Sequence, residues 1–406
     1  MTDTSHTVAV MSHSLPHRPR ISADQRRARL GRRHLLVPST RAATAGEVAD
    51  ALVGLHASDP ATVYLSACAR LREPCAEAVD RALYDDVSLV KLLSMRRTLF
   101  AVTTDLAPAV SAGAARAIAL KERATLMKHL REGTEGAEGW DERRLAQVEK
   151  EVLAALAERG EATTAELSKD VPALRETILM SPGKPYEARQ SVGSRLLRLL
   201  ASDGHVRRCR PRGSWTSGLY PWAPAPALPE LPVRKATAEI ARRWLAAYGP
   251  ATEADLKWWT GWTVTDTRRA LADTGAVGVE LAEGPGFVAD GDDGPVTETE
   301  PWAALLPGLD PTAMGWRGRD WYLDPADVKP LFDGSGNIGP TVWWNGRIVG
   351  GWAQRADGEV VWHLFADRGR EAEAAVEAEA ARLSGWLGDR RLTPRFRTPL
   401  ERELAR

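Results

Sequence analysis

Cysteine is scarce in this 406-residue chain. Three residues, Cys68, Cys75 and Cys209, are too few for a disulfide framework. Their spacing to one another and to the eight histidines matches no zinc motif, so no metal site is expected. No stretch of ~20 uncharged residues is present to cross a bilayer, and the apolar run 7–11 is too short for a secretory signal. Phosphate-loop and dinucleotide fingerprints are missing too, since Gly334-Ser-Gly-Asn-Ile-Gly precedes a strand pattern instead of following one. There is no serine nucleophile elbow. These gaps argue against secreted, membrane, nucleotide-hydrolysing and metal- or cofactor-dependent classes. They predict a cytoplasmic protein of several domains, each able to bury its own core.

Lysine is also rare. Nine of the 54 basic residues are lysine, leaving 45 arginines against 54 acids and a formal net charge of zero. Guanidinium binds phosphate bidentately and stacks on aromatic rings, although a GC-rich coding composition accounts for a global arginine excess as readily. The distribution says more than the total. Eight arginines fall between His13 and Arg41 against one acid, Asp24. Seven fall between Arg189 and Arg212 against Asp203, whereas 273–300 holds eight acids and no Lys or Arg. Blocks of opposite sign suggest a polarised surface with one anion-binding side.

The chain divides by pattern. Residues 1–28 read as a disordered basic tail whose continuation to Arg33 is a helix or a basic arm. In 29–135, Thr44 with Glu47 is a capping box for a helix over 45–55, and Asp59-Pro60 caps one over 61–71. Helical patterns follow at 76–84 and 88–95, a strand at 98–103, a helix at 107–131, and a Gly- and acid-rich linker at 132–140. In 141–232, helices at 148–159, 165–170 (capped by Thr163-Thr164) and 191–200 precede two alternating strands, 205–210 and 215–221. That is the order of a winged helix-turn-helix. It recurs in 233–300, with helices at 237–248, 252–258 and 265–274 and a hairpin of 277–281 with 286–289. In 301–406, strands 341–344 and 347–352 flank the type I′ turn Asn345-Gly346, and a third strand (359–365) and a helix (370–387) follow. That hairpin pairs Trp343 with Ile348 on its core face and Trp344 with Arg347 on the face free for a ligand.

Three features point to chemistry. Arg207, Arg208, Arg210 and Arg212 sit on or beside the wing of 141–232, behind a helix bearing Arg195 and Arg198, an array suited to phosphates. Fifteen tryptophans, clustered at 258–262, 316–321 and 343–362, are core residues or stacking platforms. Leu55-His56-Ala57-Ser58-Asp59-Pro60 drops polar groups between two helices. His56 and Ser58 lie on one side only if that link is extended, because on a helix they diverge by about 200°.

The segments Gly54-Leu-His-Ala-Ser-Asp-Pro, Met95-Arg-Arg-Thr-Leu-Phe, Leu305-Leu-Pro-Gly-Leu-Asp-Pro and 341–354, in that order, resemble the AlkZ/YcaQ-type winged-helix family over roughly 29–387. The resemblance implies three tandem winged-helix units and DNA glycosylase activity on bulky alkylated or crosslinked bases. The family's catalytic Gln-x-Gln (or Gln-x-Asp) aligns with His56-Ala57-Ser58. The expected protein is therefore mainly α with small β wings (α+β), built of three winged helix-turn-helix units plus a C-terminal β-hairpin and helix packed on the third. It is expected to be a monomer on double-stranded DNA, nucleoid-associated, with no metal and no cofactor. His56 would orient the water, Ser58 would assist and Asp59 would stabilise the oxocarbenium ion, unless Asp59 serves as the helix cap its place before Pro60 also fits. Arg195, Arg198, Arg207, Arg208, Arg210, Arg212, Trp344 and Arg347 would hold DNA. A non-catalytic winged-helix regulator or repair accessory protein, and a protein sequestering a planar small molecule beside the Trp-rich hairpin, are the competing readings.

Overall fold

The computed structural model describes residues 18–133, 140–180, 183–184 and 187–406. Helix α1 (Ala23–Arg33) is capped by Ser22, whose hydroxyl accepts the Gln25 amide. Of the tail expected at 1–28, residues 23–28 are helical, and the Pro19 carbonyl and Ile21 amide already bond Glu280; residues 1–17 lie outside the described ones. The cause is charge. Arg26 pairs with Glu283, and Arg29 and Arg33 both pair with Asp292. Arg29 also donates to the Asp292 and Gly294 carbonyls. The basic N-terminal block and the acidic 273–300 block thus fold against each other, and the polarised surface read from them is largely cancelled.

The first unit holds α2 (Ala45–Ala51), β1 (Leu55–His56), α3 (Pro60–Cys68), α4 (Ala76–Asp80), β2 (Leu89–Leu93), β3 (Leu99–Thr103), α5 (Ala107–Val110) and α6 (Arg116–Gly133). Its antiparallel sheet runs β1-β3-β2. The helix expected at 88–95 is strand β2, paired with β3 from Leu89↔Thr103 to Leu93↔Leu99. A short apolar run carries no period of its own, so its neighbour decides. Helix α2 stops early because the chain turns at Val53 (φ 54°) and Gly54 (φ 112°). A Cβ at Gly54 would meet Val102 Cγ1 at 2.8 Å.

The second unit holds α7 (Glu142–Arg159), α8 (Thr164–Asp170), the hairpin β4 (Thr177–Met180) and β5 (Ala188–Ser191), α9 (Val192–Ser202), and β6 (Val206–Arg208) paired with β7 (Trp222–Pro224). The expected second wing strand at 215–221 is a loop, because Trp215 stacks on Tyr64 of the first unit at 4.4 Å and leaves the hairpin. Of the linker expected at 132–140, residues 134–139 lie outside the described ones, and Trp140 is buried in this unit's core.

The same order returns as α10 (Val233–Tyr248), α11 (Glu253–Thr260), α12 (Val264–Asp273) and the hairpin β8 (Val277–Leu281) with β9 (Gly284–Val288). Reciprocal capping boxes open α8 (Thr163 with Glu166) and α11 (Thr252 with Asp255).

The C-terminal part adds β10 (Ala303–Leu306), α13 (Val328–Leu331), β11 (Thr341–Trp344), β12 (Arg347–Gln354), β13 (Val360–Leu364), α14 (Arg370–Leu387) and α15 (Pro399–Leu404). Its sheet runs β10-β11-β12-β13, and Trp343↔Ile348 and Trp344↔Arg347 pair as expected across Asn345-Gly346. The sheet is a central layer that reaches beyond the third unit. Leu305, Val342 and Trp352 face α14 and the first unit, while Leu306, Trp343 and Ile348 share a core with α10. Under it a buried clasp joins distant segments. Arg70 of the α3 C-terminal turn grips Asp310 with two bonds of 2.7 and 2.9 Å, and the Ser66 hydroxyl and Thr312 amide also donate to that carboxylate. The architecture is mixed, mainly helical with small antiparallel sheets.

Candidate functional site

Strand β1 is extended, as cooperation between His56 and Ser58 requires. His56 pairs with Phe100, and the Ala57 amide donates to the Leu99 carbonyl at 2.7 Å. Strand alternation turns the His56 ring to one face of the sheet, edge-on to Phe100 at 5.3 Å. There it lines a cleft of about 640 Å³. Only 3% of the residue is exposed, and burial, reinforced by the Arg96 charge, lowers its pKa to about 3. The imidazole is therefore neutral at physiological pH. Its Nδ1 is buried with no protein partner.

Ser58 and Asp59 are placed differently. The Ser58 hydroxyl accepts the Leu99 amide at 3.3 Å and fixes the end of the strand. Asp59 is the cap of α3: one oxygen accepts the Ala61 amide at 3.0 Å and the other the Arg395 amide at 2.8 Å. Of the three residues, His56 alone lines the cleft among those described.

The rest of the cleft comes from segments that the residue pattern did not single out as a site. Arg96 and Arg97 both have positive φ (54° and 60°), a strained backbone between β2 and β3. Arg96 lies over the Trp258 ring at 4.1 Å and donates to the Met314 carbonyl at 3.2 Å. Arg319 reaches the same ring at 5.0 Å and Phe332 at 5.3 Å. Asp255 sets the loop carrying Arg319, since its Oδ1 accepts the amides of Arg317 and Gly318 at 2.9 and 3.0 Å. The sequence did contain a signal for Arg96, in the consecutive arginines after Met95. It did not show that these residues meet.

The expected phosphate-binding array is only partly assembled. Arg195 and Arg198, on α9, share a groove of about 450 Å³ with Arg96 and Arg97, so Arg96 belongs to both groove and cleft. Arg198 is braced by the Ser194 carbonyl and hydroxyl at 2.9 and 3.0 Å. The wing arginines turn elsewhere. Arg208 is stacked over Tyr220 at 4.7 Å, and Arg207 borders a separate apolar cavity beside Lys91. Arg210 is bound to Asp85 at 2.8 Å and Arg212 to Glu166 at 3.1 Å. The hairpin tryptophans do not form an open platform for a planar molecule. Trp343 is fully buried with its indole donating to Thr341 Oγ1 at 2.8 Å, and Trp344 packs half-buried against the first-unit core. Arg347 is exposed. The turn itself is covered, because a Cβ at Gly346 (φ 79°) would meet Arg27 Cβ at 2.6 Å.

Among the described residues, no group of His, Cys, Asp and Glu is arranged to hold a metal ion, and no helix is long and apolar enough to cross a membrane. The chain is 27% identical over 380 residues, 90% of its length and 96% of the other's, to an interstrand DNA cross-link repair glycosylase of Streptomyces sahachiroi. The solved structure of the Streptomyces sahachiroi DNA glycosylase AlkZ superposes with a TM-score of 0.69 at 22% identity, covering 92% of this chain and 98% of that one, a likeness of fold. The profile of the AlkZ-like DNA glycosylases matches residues 49–386, which spans both the His56 strand and the central sheet, and the chain belongs to that family.

Proposed function

We propose that this protein is a metal-independent DNA glycosylase that hydrolyses bulky alkylated or crosslinked bases from duplex DNA. The observation that carries the reading is the neutral His56, with its Nδ1 unpartnered, lining a cleft that shares Arg96 with the Arg195–Arg198 groove. A neutral imidazole accepts a hydrogen bond from water and orients its oxygen toward C1′. As the C1′–N bond breaks, its electron pair leaves with the base. The water oxygen bonds to C1′, and its proton passes to His56 and then to solvent. Ser58 and Asp59 act by position, fixing the end of the strand and the start of α3 just after His56. Arg195 and Arg198 hold the backbone phosphates, since neither has a carboxylate within ion-pair distance among the described residues.

The test is base release from alkylated and crosslinked duplexes, read as alkali-labile abasic sites. His56→Ala should abolish release and leave DNA affinity within about twofold. Equal rates for the two proteins refute the assignment. A second reading, a DNA-binding protein without catalysis, is favoured by one observation, the engagement of both Asp59 oxygens away from the cleft. It predicts DNA binding with no release from any substrate.

A further inference from the structure

A smaller cavity, of about 50 Å³, opens where the first unit meets the wing of the second. Leu83, Val87 and Leu89 wall it on one side, and Val206, Pro226 and Leu228 on the other. It has room for about three or four waters, or for a chain of a few carbons. Among the described residues no Asp or Glu lines it. Arg207 and Arg208 border it, Arg208 stacked over Tyr220, and the Lys91 amine donates to the Tyr84 hydroxyl at 2.7 Å. Lys91 stands opposite Ala101 on β2, one position from the row that holds Leu92, Phe100 and His56. Strand alternation therefore points it to the other face of the sheet from the His56 cleft.

The chain takes a costly path to set this pair. Residues Arg81–Asp85 form one widened turn, closed by the Asp86 amide on the Arg81 carbonyl at 2.9 Å, and Val87 follows with φ 48°. A β-branched residue in the left-handed region is strained, and such turns gather where a side chain has to be aimed. Here the aimed group is Tyr84, set beside Lys91 of β2. Behind it Tyr84 is hydrogen-bonded to Tyr64, whose hydroxyl donates to Asp80. Burial, then the Arg208 charge, lowers the Lys91 pKa to about 7, and burial raises that of Tyr84 to about 12. At neutral pH much of the amine thus carries a free electron pair, beside a phenol that keeps its proton.

A neutral amine in an apolar cavity, with a phenol in reach, is equipped to add to a carbonyl. We infer that Lys91 is a nucleophile that captures small apolar aldehydes as imines, with Tyr84 as its acid and base. The site is separate from the His56 cleft and does not depend on the glycosylase reading. The amine pair bonds to the carbonyl carbon, and the π pair moves to the oxygen, which takes the Tyr84 proton. Tyr84 recovers a proton from the nitrogen, leaving a carbinolamine. The nitrogen pair then forms the C=N bond, and the hydroxyl departs as water with a proton relayed from the nitrogen through Tyr84.

The test treats the full chain with butanal and sodium cyanoborohydride at neutral pH. Hydride reduces the imine to a stable secondary amine, which mass spectrometry maps over all nine lysines. Lys91 should be modified at least about tenfold faster than the rest, and its lead should shrink toward about pH 10 as they lose their protons. Tyr84→Phe removes only the hydroxyl and should slow Lys91 several-fold at unchanged melting temperature, with the remaining lysines as internal standards. 2-Naphthaldehyde, too broad for the cavity, should show no preference for Lys91. Modification of Lys91 no faster than of the rest overturns the inference. So does an unchanged rate in Tyr84→Phe, or an equal preference with the broad aldehyde.

Discussion

Residues 142–224 and 233–288 share an order of three helices and a hairpin, and both open their second helix with a threonine capping box, yet they serve opposite ends. The earlier unit folds around a core of its own, from Leu145 and Val148 to Leu196 and Trp222, joined by the end of α6. The later one gives its first helix away: Ile240, Trp244 and Tyr248 belong to a core shared with the first unit and the C-terminal sheet. Their charges differ in the same sense. Arg268 and Arg269 of α12 are answered within the unit by Glu253 and Asp266, at 2.9 and 3.7 Å. On α9, Arg195 and Arg198 have no such answer and crowd each other, burial and the neighbouring Arg198 charge lowering the Arg195 pKa. One repeat has its α12 arginines paired within the unit, and the other leaves those of α9 without a carboxylate among the described residues.

The largest test of that contrast strikes the shared core. Asp310→Asn leaves the Arg70 charge buried without its partner and should cost about 3–5 kcal/mol. Thermal unfolding followed by hydrogen exchange should show the joint body opening while α7–α9 stay protected. Simultaneous loss of protection in both regions would show that the second unit has no separate stability. Next in size are the α9 arginines. Arg195→Ala with Arg198→Ala should flatten the log–log salt dependence of DNA affinity by roughly 2, and Arg268→Ala with Arg269→Ala should leave it unchanged. Equal slopes for both pairs would erase the distinction between the repeats.

Acid sharpens the same contrast. His34 sits fully buried between Thr312 and the Ala247 carbonyl, and burial, then Arg70, lowers its pKa to about 3, the value also reached by His56. Between a histidine's unfolded pKa of about 6.5 and that value, the unfolded chain takes up protons that the fold refuses. Stability of the joint body should therefore fall as pH drops below about 6.5. Residues 142–202 contain no histidine, so exchange there should change less between pH 7 and 5. The smallest effect is symmetrical. Thr163→Ala and Thr252→Ala should each cost about 1 kcal/mol by denaturant titration, since each removes the same reciprocal cap. A large difference would mean that Asp255, which also ties the Arg317 loop, depends on its threonine.

The candidate site was legible in part. His56 stood out because polar residues between two helices are conspicuous, and the extended link it required is present in β1. Asp59 before Pro60 fitted a cap, and the structure shows it capping α3. The wing arginines misled because a run of like charge reveals nothing of its counter-ions: Asp80 and Asp85 meet Arg210 from another unit, and Glu166 meets Arg212 from α8. Arg319 gave no signal of its own, since it reaches the cleft only through the loop that Asp255 ties.

What a residue string dictates here is whatever depends on neighbours a few positions away. Both capping boxes, the Asn345-Gly346 register, the repeated helix order and the family resemblance are of that kind. Tertiary structure alone settled which charges are cancelled, that 89–93 is a strand, and that His56, Arg96 and Arg319 face one cleft. Those outcomes depend on partners as far apart as Arg41 and Glu379, 338 residues away along the chain. Burial then magnifies every charge left without an opposite, which no local pattern records.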